Sequence, residues 1–279
     1  MRKKSPPKNE ALVVLSGGQD SVTCLFWAQQ RFRKVHAITF DYNQRHRLEI
    51  DAARKTALLA GCVTHEICEL GPILKGYSPL TNPNEKLETY KNAKEMEKVI
   101  GDRVELTFVP MRNSLFLTLA ANRAVCLGVK NIVTGVCQED NANYPDCRED
   151  FIRSINDAIN LALGYDEESC SYLRIHTPLM NCTKAQTVEM AREVGAWHAL
   201  ANSHTAYNGT YPPTSKDHAN TLRADGFRKA GLPDPLVLRA WSEGKMKLPK
   251  TKNYSTIKPK DVNNLTDLLD KTLKMKPVK

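Results

Sequence analysis

Leu12-Val13-Val14-Leu15-Ser16-Gly17-Gly18-Gln19-Asp20-Ser21 is the stretch that decides the fold. Four apolar residues in a row mark a strand buried on both faces of a sheet. After Ser21, Val22, Leu25, Phe26 and Gln29 fall at helical spacing. A glycine loop between a strand and a helix is the setting in which such a loop holds phosphate. Gly17 and Gly18 reach backbone angles closed to other residues, so main-chain N–H groups can approach an anion. The helix that opens near Ser21 aims its unpaired N–H groups and positive dipole end at the same point. Ser16 and Ser21 add hydroxyl donors. Asp20 suits an anion site only if a divalent cation bridges it to phosphate, which points to Mg2+. A bare glycine pair would be only a turn; the hexapeptide in this context favours phosphate. It is not a Walker A loop, since no Gly-Lys-Ser/Thr follows, and it lacks the Gly-x-Gly-x-x-Gly of dinucleotide sites.

Working outward, Val35–Phe40 reads as a second strand and Arg47–Ala60 as a helix closed by Gly61. Thr64–Leu70 is a third strand. The charge-rich segment 71–104 reads as an insertion with a short helix near Glu88–Val99. Leu106–Val109 is expected to be extended. Helices follow at Asn113–Leu127, Arg148–Leu163, Thr183–Val194 with Thr183 as N-cap, and Lys216–Ala230. Strands are expected at Asn131–Gly135 and Leu173–Ile175. Alternating strands and helices predict an α/β fold, a doubly wound and mainly parallel sheet of Rossmann-like type, with a small C-terminal helix and loop region. The parts are a basic extension (1–10), a nucleotide-binding domain (11–203), a loop–helix region (204–238) and a basic tail (239–279). In the tail, Leu265, Leu268, Leu269 and Leu273 form one amphipathic helical face, suited to docking on the body or on a partner.

The 279 residues include 41% hydrophobic ones, enough for a real core and against global disorder. The first apolar run, Ala11–Leu15, is too short for a signal peptide core, and no segment can span a bilayer. The eight cysteines form no Cys-x-x-Cys pair, so reduced thiols and a cytoplasmic location are expected. The net charge of +9 is uneven. Residues 1–10 carry about +3, the tail from Arg239 about +7, and the body between them about −1. A basic tail serves nucleic acid, an acidic protein partner, or solubility alone. Its few aromatics, Trp241 and Tyr254, do not suit a single-strand binder.

Ser-Gly-Gly-x-Asp-Ser resembles the pyrophosphate loop of the N-type ATP pyrophosphatases. Further blocks narrow the resemblance: Phe40-Asp41-Tyr42-Asn43-Gln44-Arg45-His46, Val109-Pro110-Met111-Arg112-Asn113, Tyr144-Pro145-Asp146-Cys147-Arg148, Thr177-Pro178-Leu179 before Lys184, Tyr207-Asn208-Gly209, Leu222-Arg223 and Gly231-Leu232-Pro233-Asp234-Pro235. In this order, over roughly residues 11–237, they resemble the 7-cyano-7-deazaguanine synthase (QueC) family. The resemblance implies a ligase that uses ATP, cleaved to AMP and pyrophosphate, to activate 7-carboxy-7-deazaguanine and amidate it with ammonia. A second ATP then gives the nitrile for queuosine-type modifications.

The resemblance also implies residue roles. Ser16, Gly17, Gly18, Gln19, Asp20 and Ser21 hold the phosphates, with Phe40, Gln44 and Arg45 walling the nucleotide beside His46. Lys184 neutralises the α-phosphate or pyrophosphate, and Arg112 reaches the adenylate, so Asp20, Arg112 and Lys184 are the expected catalytic set. Tyr144 stacks on the base, Asp146 accepts from its guanine-like edge, and Arg148 stands beside them. A homodimer is the family expectation.

The chain departs from the family at four zinc-binding cysteines, whose places are taken by Ala206, Thr214, Asp217 and Asn220. These are poor zinc ligands, so no structural zinc is expected, and Asp217 is expected to cap the next helix instead. Asn43 stands where the family has Gly, a mild change because Asn tolerates positive φ. Three readings stay open. The amine acceptor is ammonia; or it is a protein amine, as analogy with phage-defence relatives suggests, with the basic tail as the partner's seat; or the chain is a non-catalytic sensor.

Overall fold

The computed structural model describes residues 9–137, 144–258 and 264–278. The basic residues 1–8 lie outside it. Five strands form one parallel sheet: β1 (Glu10–Val14), β2 (Lys34–Asp41), β3 (Thr64–Glu69), β4 (Asn131–Val133) and β5 (Arg174–His176), in the order β3-β2-β1-β4-β5. β1 is central, with Val13 in register with Ala37 on one side and with Val133 on the other.

Alternation along β1 explains why it is apolar throughout. Ala11, Val13 and Leu15 enter one core, with Val35 and Ala37 of β2. This core is closed by α1 (Gln19–Gln29), α2 (Leu48–Ala60), α6 (Lys184–Glu193) and α7 (Trp197–Leu200). Leu12 enters the opposite core with Ile38, Phe40 and Ile132, under α4 (Arg112–Leu127) and α5 (Glu149–Ala162). Helices thus cover both faces, as expected of a doubly wound sheet.

Several local expectations hold. Gly61 closes α2 in the left-handed region at φ 69°, and Thr183 opens α6 with a full capping box to Gln186. Asn43 takes the expected positive φ, 62°. Others shift. Leu106–Val109 is not extended, because Glu105 accepts from the Thr107 N–H at 2.6 Å and bends the chain into turns. The helix expected from Glu88 is α3 (Ala93–Ile100); it starts late because the Asn92 side chain caps it at Glu95 N, 3.0 Å. α8 (His218–Lys229) starts two residues late because Asp217 is its cap.

The end of the chain is docked. α9 (Pro235–Ser242), a helix not expected from the sequence, is capped by Asp234 with Pro235 at its first turn. α10 (Leu265–Leu273) is the expected amphipathic helix, and it packs on α7 and α9 with Leu268 and Leu269 buried. Trp197 Nε1 donates to Thr272 Oγ1 at 3.1 Å, and Arg192 to the carbonyl of Leu273 at 2.6 Å. Further on, Val278 N donates to Gly231 O at 3.0 Å, and a Cβ on Gly231 would lie 2.5 Å from the Val278 carbonyl oxygen. Among the described residues no helix is long and apolar enough to cross a membrane.

Candidate active site

Successive strands run outward from β1 to β2 and β3, then on the other side from β4 to β5. The reversal falls between β1 and β4, and in such sheets the crevice at the strands' carboxyl ends there is where ligands bind. The loops leaving β1 and β4 line an open cleft with an empty volume of about 1230 Å³. Gly135, after β4, lets the two loops meet: a Cβ there would sit 2.9 Å from Ser21 N. Gly17, at φ 88°, does the same toward α2, where a Cβ would be 2.2 Å from Glu49 O. Neither position admits a side chain without moving backbone.

Ser16 and Ser21 tie the loop's ends together, their hydroxyls 3.0 Å apart. Ser21 Oγ accepts from the backbone N–H of Ser16 and of Gly17, each at 3.2 Å, and Ser16 Oγ accepts from Gly18 N at 3.2 Å. The two serine hydroxyls thus take up three main-chain donors and set the shape of the loop. From α1, Asp20 Oδ2 accepts from Lys184 Nζ at 2.8 Å, with the lysine 12% exposed. The other oxygen, Asp20 Oδ1, is buried without a partner among the described residues, as are both amide atoms of Gln19. Leaving such groups unmatched costs about 1–3 kcal/mol each, so this wall is built for a polar ligand. The unmatched carboxylate oxygen also fits the Mg2+ expectation.

Facing the loop, Arg112 opens α4 behind Met111, a non-glycine residue at φ 62°. Burial works against the Arg112 charge, but Tyr42, Tyr207, Tyr144 and Asp146 around it outweigh that and keep it firmly protonated. Phe40 stacks on Phe116 at 4.4 Å, giving the cleft a flat apolar wall. Tyr144 also lines it, its hydroxyl donating to Glu105 Oε2 at 3.0 Å and bonded to Thr107 Oγ1. Burial pushes the Cys147 thiol up to about 12, so this cleft residue stays a neutral thiol.

Ser16, Gly18, Gln19, Asp20, Ser21, Phe40, Arg112, Tyr144 and Lys184 therefore meet at one cleft, with Gly17 shaping the loop. Four expected residues stand elsewhere. Gln44 is buried behind the wall, where its amide accepts from Tyr42 N at 3.0 Å and donates to Glu49 Oε1 at 2.8 Å. Arg45 points to segment 71–104, donating to the carbonyls of Pro83 and Glu85 at 2.9 and 3.2 Å. Asp146 lies behind Asn113, accepting from its backbone N–H at 3.3 Å and capping α4. Burial raises its pKa, against the lowering pull of Arg112. Arg148 is exposed at the N-cap of α5. Gln44, Arg45 and Asp146 each reach a hydrogen-bonding group of the chain that residue type alone did not reveal.

The cleft's remaining wall is the loop before α8, where the family's zinc ligands would stand. Its donor set does not fit zinc. Ala206 is buried and apolar, and the one carboxylate, Asp217, is already engaged. Asp217 Oδ2 accepts from Tyr207 N at 2.9 Å and from Ser215 Oγ, while Oδ1 accepts from Asn220 N at 2.9 Å. Asn220 in turn donates to the carbonyls of Pro213 and Ser215 at 3.0 and 2.6 Å. Among the described residues no group of three or more His, Cys, Asp or Glu side chains could hold a metal ion. Below this loop, buried Arg223 forms a two-pronged pair with Asp234 at 2.7 and 2.8 Å and also binds Ser203 and Thr205. Glu49, which reading by motif passed over, lines the cleft beside His46. Its spacing of three from His46 at a helix start was the available signal.

The family profile described as "Queuosine biosynthesis protein QueC" matches residues 10–231. The chain is 49% identical over 230 residues to a 7-cyano-7-deazaguanine synthase of Laribacter hongkongensis, covering 82% of this chain and 94% of that protein. A protein of the same name from Gloeobacter violaceus is 48% identical over 230 residues, covering 81% and 95%. One from Lysinibacillus sphaericus is 41% identical over 235 residues, covering 83% and 98%. With a phosphate loop at the sheet's switch point and this match along most of its length, the chain belongs to the QueC family of queuosine biosynthesis proteins.

Proposed function

We propose that the chain adenylates 7-carboxy-7-deazaguanine with ATP, releasing pyrophosphate, and joins the acyl group to ammonia to give the amide and, with a second ATP, the nitrile. The observation that carries this reading is the unmatched Gln19 amide and Asp20 Oδ1 beside Lys184, in a chain so similar to 7-cyano-7-deazaguanine synthases. A carboxylate is a poor electrophile, and adenylation supplies a good leaving group. The loop Ser16–Ser21 receives the terminal phosphates. Lys184 and Arg112 neutralise charge as a carboxylate oxygen attacks the α-phosphorus and pyrophosphate departs. Asp20 would hold Mg2+ bound with ATP, which would supply further neutralisation. The base lies against Tyr144 and the Phe40–Phe116 wall. Asp146 takes part by fixing Asn113, which lines the cleft, rather than by direct contact.

Supplying ATP, Mg2+, 7-carboxy-7-deazaguanine and ammonia tests this directly. AMP, pyrophosphate and a product of the amide's mass are expected. Calorimetry on Asp146→Ala should show weakened binding of the base with ATP binding kept; the reverse pattern would place the base elsewhere. Pyrophosphate release only with an added protein that gains the mass of the base would move the acceptor from ammonia to a protein amine.

A further inference from the structure

We propose that His46 is the general base that takes a proton from the attacking amine, held in that role by Glu49; this rests on the acyl-transfer reading above. His46 is 4% exposed, and its Nε2 lies 3.1 Å from Glu49 Oε2. Glu49 cannot swing away, because its other oxygen accepts from Gln44 Nε2 at 2.8 Å. Gln44 is itself fixed by Tyr42 N at 3.0 Å and by the Phe40 carbonyl at 3.3 Å. A carboxylate at Nε2 selects the tautomer with hydrogen there and leaves a lone pair on Nδ1. That Nδ1 is buried with no hydrogen-bond partner among the described residues. A structural histidine in a packed wall would normally have both nitrogens matched.

Position supports the same role. His46 and Glu49 both line the cleft, and the Glu49 carbonyl abuts Gly17 of the phosphate loop. The imidazole faces the Tyr207 ring at 5.2 Å, and Tyr207 is held through its backbone N–H by Asp217. The obvious competitors are committed. His204 gives its Nε2–H to the Ala206 carbonyl at 2.9 Å, and Lys184 is paired with Asp20.

The chemistry balances. The amine lone pair attacks the acyl carbon of the adenylate and the C–N bond forms. His46 Nδ1 accepts one N–H proton, and the C–O bond to the AMP phosphate breaks with its electron pair leaving on AMP. The imidazolium then returns its proton to solvent. Without a base, the nitrogen keeps its extra proton and is expelled more readily than AMP.

Hydroxylamine provides the test, since it is mostly unprotonated at neutral pH and attacks acyl-adenylates with little need of a base. Transfer rates are measured per adenylate formed, in the wild-type chain, His46→Asn and Glu49→Gln, with ammonia or hydroxylamine as acceptor. For His46→Asn, ammonia transfer should fall about 100-fold and hydroxylamine transfer less than about 5-fold, the scale of a lost general base. Glu49→Gln, which keeps the size of the side chain, should show the same acceptor selectivity with a smaller loss. Equal losses for both acceptors, or no loss, would overturn the proposal. Absence of a pyrophosphate burst in the wild-type chain would overturn the underlying acyl-transfer reading instead.

Discussion

Two loops line the cleft side by side and treat their polar atoms in opposite ways. The 204–220 loop satisfies itself: Asp217 accepts from Tyr207, Ser215 and Asn220, and Asn220 closes on two carbonyls. The 16–21 loop leaves Gln19 and one oxygen of Asp20 unmatched. One is scaffold, closed by its own hydrogen bonds. The other stays incomplete without a ligand. The difference teaches that substitutions in the first should move stability, and in the second activity.

The largest effect should come from below the scaffold loop. Asp234→Ala leaves Arg223 buried and unpaired and also uncaps α9, so a loss of about 3–5 kcal/mol is expected in urea unfolding. An unchanged midpoint would show that the pair does not anchor this wall. Asp217→Ala comes next, at about 2–3 kcal/mol, from a lost helix cap and unmatched N–H groups at Tyr207 and Asn220. Chelators should leave the melting temperature of the wild-type chain where it is, and stoichiometric zinc in the purified protein would falsify the substitution of hydrogen bonds for metal.

Crossing to the other loop, Asp20→Asn and Ser21→Ala should each lower turnover by about 10-fold or more while barely shifting the melting point. Normal pyrophosphate release in both variants would end the contrast between the loops. The smallest effect lies outside both. Lys245 first, then Arg239 and Tyr211, hold the Glu243 carboxyl at about 2, below its ordinary 4.5. A depressed carboxylate stabilises the fold above its unfolded pKa and loses that contribution as pH falls from 4.5 toward 2. Partial exposure limits the gain of wild type over Glu243→Gln to about 0.5–1 kcal/mol at neutral pH, and the difference should vanish at acid pH in paired melts.

Much of this was legible in the residues. β1 and the phosphate loop were plain because an apolar run, two glycines and a helical period coincide within a few residues, and the caps at Thr183 and Asp217 carried their own chemistry. Gln44, Arg45 and Asp146 were harder. Motif order brings a residue to the right neighbourhood, but a side chain's direction depends on carbonyls and N–H groups distant in sequence. Gln44 turns inward to Glu49 and Arg45 outward to Pro83 although they are adjacent. The Glu49–His46 pair escaped notice for the same reason, since its meaning depends on an unmatched nitrogen that only packing reveals.

β1 is hydrogen-bonded along both edges, and its last pairing, Leu15 N to Ile38 O at 2.8 Å, comes one residue before the phosphate loop. Such a strand opens only when the whole sheet does. The phosphate loop is therefore an anvil, fixed on its strand side. The cross-linked 204–220 loop is joined to this fixed point by the bond from His204 N to Gly17 O at 2.9 Å, and to segment 71–104 by the bond from Tyr90 N to Lys216 O.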